Sequence, residues 1–223
     1  MRRVAVCALI FGALILATTY FWSESNFAVA GLLMVVGITC PFIVRFERRG
    51  ARAEEIVILA VLVAIASASR IPFAGLPSIQ PTSFVVIMAG IALGAESGFL
   101  VGGLSALVSN MFLGQGPWTP WQMFAWGLMG FTAGLLRNTF IMKNGVVRVI
   151  FGFVWGFLFG WIMNMWYLLG LGENISFNAV LIGALGSASM DLAHGICNAV
   201  LLALFAASWL RVLNRTRQKF DIF

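Results

Sequence analysis

The chain has 223 residues, of which 61% are hydrophobic and only 10% charged, and its formal net charge is +6. A soluble domain carries roughly a quarter charged residues, so most of this chain is solvated by lipid; its continuous apolar runs indicate spanning helices and exclude a membrane barrel, which alternates apolar and polar residues. The basic residues sit in short clusters between apolar runs, which orients helices and argues against a nucleic-acid partner, and Cys7, Cys40 and Cys197 lie at unrelated spacings that suggest neither a disulfide framework nor a metal site.

Eight spans are predicted, at about 4–22, 27–44, 56–70, 82–95, 98–113, 123–136, 147–169 and 190–210. The first follows Met1-Arg2-Arg3 like a signal peptide. The small residues that would suit cleavage, Ala28-Val29-Ala30, lie inside the next apolar run, and Trp22 and Glu24 close the first run like an interface, so it is read as a retained span. The spans at 82–95 and 123–136 fall short of the roughly 20 residues a crossing needs. The charged segment Arg45–Glu55 divides the chain into a two-helix transmembrane hairpin, residues 1–50, and a six-helix membrane domain with a basic tail, residues 51–223.

Charge tests this count. With both termini in the cytoplasm of a multi-pass plasma-membrane protein, the inner segments hold Arg2, Arg3, Arg45, Arg48, Arg49, Arg52, Arg137, Lys143, Arg148, Arg211, Arg215, Arg217 and Lys219, and Arg70 alone is outside, with Glu24 and Glu173. A missed helix would scramble that division. Small residues recur every fourth position: Ala60, Ala64 and Ala68; Gly90, Gly94 and Gly98; Gly130 and Gly134; Gly152, Gly156 and Gly160. Such rows let backbones approach, and the alanine row has a second use as a docking face for another protein's helix.

Three outer segments carry polar groups. Arg70 to Pro81, with three prolines, is non-helical; Arg70 either recognises an anionic or carbonyl group or anchors the helix end at the interface. Gly114 to Gln122 holds Trp118 and Trp121 between prolines, and its flat apolar surface and amides suit a ring-containing solute better than a plain aromatic belt; Asn110 precedes it by one turn. Asp191, His194 and Asn198 share a helix face, and ionisable groups in a span are either paired together or functional. The apolar stretch Phe177–Leu210 is too long for one straight crossing, which places Ala179–Ser189 in an outer loop or half-helix.

Enzyme readings fail on composition. His194 and Asn198 match the HxxxN element of CAAX-type membrane proteases, and Glu54-Glu55 their paired glutamates, but Leu59 replaces the arginine and there is no second histidine; neither a rhomboid-type serine motif nor a P-loop is present. The set Ala51-Arg52 leading into Ala60/Ala64/Ala68, Arg70-Ile-Pro-Phe, the 114–123 tryptophan segment, and Asp191-Leu-Ala-His194 with Asn198 resembles the substrate-binding S-components of energy-coupling-factor (ECF) vitamin transporters over about residues 51–215. The resemblance implies an all-α six-helix bundle that binds a vitamin near its outer face without enzymatic activity or cofactor, and delivers it to a transmembrane scaffold protein with two ATPases. It implies docking through Ala60, Ala64 and Ala68, and substrate contacts from Arg70, Gln80, Asn110, Trp118, Trp121, Gln122, Asp191 and His194. The tryptophan segment looks most like the cobalamin-type branch. Two readings compete: an intramembrane hydrolase using Asp191 and His194, and a structural subunit that binds nothing.

Overall fold

The computed structural model describes residues 37, 52–76, 78–116, 118–170 and 176–220. The expected hairpin over 1–50, apart from residue 37 and including Cys7 and Cys40, and Glu173, expected on the outer side, lie outside the described residues. Those residues form helices and no strand: α1 (Ala53–Arg70), α2 (Thr82–Leu93), α3 (Ala95–Leu113), α4 (Thr119–Leu135), a single turn α5 (Phe140–Lys143), α6 (Gly145–Gly170) and α7 (Phe177–Phe220). Apart from the single turn α5 these are six helices, in an all-α membrane protein as expected, although the second is only 12 residues long. Among the described residues, four stretches are long and apolar enough to cross a membrane: Ala53–Phe73, Ala95–Leu113, Gly145–Met165 and Phe177–Phe220.

Three elements differ from the sequence reading. The 82–95 span is a helix of 12 residues, about 18 Å long, with every residue but Ile91 buried. It packs against α1, α3, α4 and α7 and fills the middle of the bundle. The expected tryptophan loop is half helix, because Pro120 sits in the first turn of α4, where its missing N–H is no loss. The tail of the apolar stretch does not break: α7 runs unbroken for 44 residues, about 66 Å, where a loop or half-helix was expected at Ala179–Ser189. Nothing in that run interrupts helical hydrogen bonding, since it contains no proline, and Asn164 on α6 clamps it through Nδ2 to the Gly183 carbonyl (3.3 Å) and Ser187 Oγ (2.8 Å).

The glycine rows form the seams. On α3 and α4, a Cβ at Gly98 would meet the Gly130 carbonyl and one at Gly102 the Trp126 carbonyl. On α6 and α7, Gly156 faces the backbone of Gly195, and Gly160 faces the Asp191 carboxylate. Reversals at Gly94 (φ 102°) and Gly114 (φ 104°) set α2, α3 and α4 antiparallel. The Arg137 guanidinium lies beside Gly94, and Arg70 beside the far end of α3. Arg52 and Arg137 therefore mark one end of the bundle and Arg70 the other.

Candidate functional site

The end of the bundle marked by Arg70 holds a continuous polar network. Asn110 is its hub. The helix end that carries it is closed by Gly114, whose N–H returns to the Asn110 carbonyl (2.9 Å) while its positive φ turns the chain back. That reversal brings the first turn of α4 against the last turn of α3. The Asn110 amide then donates to Thr119 Oγ1 (2.9 Å) and Gln122 Oε1 (2.8 Å), and its Oδ1 accepts from Arg70 Nη1 (2.6 Å). The same Nη1 donates to Ser109 Oγ (2.9 Å). Thr119 Oγ1 donates to Gln115 Oε1 and accepts the Gly116 N–H, which ties the turn to the helix.

The network crosses the bundle through an aromatic. The Arg70 guanidinium lies 5.0 Å from the centre of the Trp126 ring, a cation–π contact of about 0.5–2 kcal/mol. The Trp126 indole N–H donates to Ser83 Oγ (2.9 Å), and Ser83 Oγ lies 2.6 Å from His194 Nε2. Having accepted from Trp126, the hydroxyl can donate its own proton to Nε2. Phe159 packs edge-on to the His194 ring and tilted on Trp126, at 4.9 and 4.8 Å.

Of the residues singled out in the sequence, Arg70, Asn110 and Gln122 bond together directly, and His194 joins through Ser83 and Trp126. Gln80 lies beside Cys197, hydrogen-bonded through its backbone, and its side-chain Oε1 is buried without a partner. Trp121 is buried under the α4 start, and the half-buried Trp118 lays its ring over Gly116. Asp191 stands apart on the α6–α7 seam, taking a hydrogen bond from Ser187 Oγ (2.9 Å). It and His194 thus have separate partners, contrary to the pairing considered for them. Asn198 donates to the Gly152 carbonyl (3.0 Å), and Asp191, His194 and Asn198 are all buried.

Sequence reading missed Ser83, Ser109, Thr119 and Trp126. The available signal was spacing: Trp126 is one turn beyond Gln122, and Ser83 three residues beyond Gln80. A groove of about 470 Å³ opens elsewhere, between α1 and the basic-end half of α7, against Ile58, Leu62, Ile65, Trp209 and Leu213. Its walls are apolar and offer a polar solute little beyond the Ser208 and Thr216 hydroxyls. The alanine row faces outward, with Ala60, Ala64 and Ala68 all exposed.

Residues 54–212 match the family described as the ECF transporter, substrate-specific component. The chain belongs to that family. Its members are transport subunits and not enzymes, and this substrate-specific component is a multi-pass protein of the cell membrane. It is 28% identical over 104 residues to a UPF0397 protein of Aliivibrio fischeri (44% of this chain, 55% of the relative) and 28% identical over 88 residues to a UPF0397 protein of Vibrio atlanticus (37% and 48%). The chain thus spans about half the length of the curated relatives it matches. No solved structure matches it.

Proposed function

We propose that the protein captures a vitamin or related micronutrient at the non-cytoplasmic face and passes it to an ECF scaffold protein with two ATPases. The observation that carries this reading is the network joining Arg70, Asn110, Gln122 and His194 at the bundle end opposite Arg52 and Arg137. A purely structural subunit has no need to gather so many polar side chains from five helices at one mouth, where desolvating each costs free energy. Basic clusters mark cytoplasmic ends, so Arg70 and the two tryptophans face outward and both termini face inward. The solute-contacting set is Arg70, Gln80, Trp118, Trp121 and Gln122, with Asn110 and His194 holding it from behind and Asp191 further along the α6–α7 seam. The aromatic surface of the half-buried Trp118, backed by the buried Trp121, favours a broad ring system such as a cobalamin-type solute. The exposed alanine row of α1, Ala60, Ala64 and Ala68, is the face offered to the scaffold.

A hydrolase reading has one geometric argument, the Ser83–His194 pair at 2.6 Å. Both residues are almost completely buried, and Ser83 already accepts the Trp126 N–H. The carboxylate that would orient the base, Asp191, bonds Ser187 instead. The pair therefore packs the bundle.

The test is binding by the purified protein, without ATP, across a vitamin panel. Trp118→Ala with Trp121→Ala should weaken binding of the retained compound at least tenfold while the protein still elutes as a folded species. Undiminished affinity in the double variant would remove this mouth from the site.

A further inference from the structure

Among the described residues Arg70 meets no counter-charge. Its bonds go to Ser109 and Asn110, both neutral, and it rests on the neutral Trp126 ring. The described carboxylates lie elsewhere. Glu54 and Glu55 are at the opposite end of α1, about 23 Å along the helix; Glu96 opens α3, about 20 Å from Asn110; and Asp191 is engaged by Ser187 on the α6–α7 seam. A guanidinium withdrawn from water without a counter-charge is costly, and helices near lipid keep such a group where it has work to do.

The direction of the guanidinium matters as much as its charge. Both hydrogen bonds use Nη1, so the neighbours fix the fork by one tine and leave Nη2 and Nε outside those bonds. Each polar atom of the Asn110 side chain already has a protein partner: Oδ1 accepts from Arg70, and its two N–H groups go to Thr119 and Gln122. Asn110 is a positioning residue, holding Arg70 in place. The guanidinium carbon lies 5.0 Å from the Trp126 ring centre, and with Nη1 engaged the Nη2 and Nε donors suit a planar two-oxygen partner.

We infer that the solute captured here carries an anionic group, a carboxylate or phosphate, seated on the Nη2/Nε edge of Arg70. This rests on the capture function proposed above and narrows its substrate to acids. The same chemistry exists in a phospholipid headgroup, and the experiment separates the two sources.

Full-length protein in phosphatidylcholine nanodiscs is exposed to a small-molecule extract of rich growth medium, washed and heat-released, and the released solutes are identified by mass spectrometry. The expected result is a soluble acid, retained at least tenfold less by Arg70→Gln and to an intermediate degree by Arg70→Lys. Wild-type protein alone gives a second reading that does not depend on a variant folding: the methyl ester or dephosphorylated form of the released solute should be retained at least tenfold less than the acid. A neutral or cationic solute, equal retention of acid and ester, or a phospholipid released in place of a soluble compound overturns the inference while the capture reading stands in the first two cases. Release of no soluble compound from wild-type protein defeats the capture reading, and the inference with it.

Discussion

Asn110 contributes every polar atom of its side chain to neighbours on α1 and α4. An alanine there leaves Arg70, Thr119 and Gln122 each short of a partner in a nearly waterless setting. An unsatisfied buried group costs about 1–3 kcal/mol. Asn110→Ala should therefore lower unfolding stability by at least that much, read as a fall in the thermal midpoint in detergent. An unchanged midpoint would mean that the network contributes nothing to holding α3, α4 and α1 together. The residues the sequence singled out here were the ones whose chemistry is conspicuous: an arginine, a pair of tryptophans, an aspartate and histidine in apolar runs. Ser83 and Trp126 were not legible in that way. A lone serine in a span reads as a small packing residue, and a tryptophan there reads as bulk. Only the folded bundle shows that one indole links the guanidinium to the histidine.

At the scale of elements, the α6–α7 pair depends on closeness. Gly156 faces the Gly195 backbone across the seam, and a methyl group at Gly156 has no space that the neighbouring main chain can yield. Gly156→Ala should cost about 1–3 kcal/mol, and Gly156→Leu should prevent a stable bundle, detected as loss of the monodisperse peak on size exclusion. Stable protein with leucine at this position would show that the helices do not meet there. The fourfold glycine rows were readable because their spacing is a property of the helix itself, and they correctly announced close seams. Element ends were less readable. The α4 start was hidden because Trp-Thr-Pro-Trp looks like a loop to a rule that counts prolines, whereas a proline in the first turn favours a helix. The continuity of α7 was hidden because the thickness of a bilayer sets an expectation for length that a helix extending beyond the membrane does not obey.

For the molecule as a whole, the exposed row Ala60, Ala64 and Ala68 on α1 lies on a different side of the bundle from the polar network. Capture and docking should then be separable. Ala64→Trp is expected to leave solute retention within twofold of wild type while reducing ATP-driven uptake in cells at least tenfold. Full uptake by that variant would assign the row to lipid. Among the described residues the charge division was legible in Arg52 and Arg137 at one end of the bundle and Arg70 at the other, because each span inverts the side of everything after it.

The central helix α2 bears on how such a chain is made. At about 18 Å it is too short to stop in a bilayer by itself, and nearly all its surface is meant for other helices. As the ribosome delivers residues 82–93, the insertion machinery has no stable place to leave them until α3 follows, and only Gly94 separates the two. The pair must enter as one re-entrant unit, late relative to α1, and a defect at Gly94 would surface in biogenesis, as degraded or mis-threaded chains, before any solute is met.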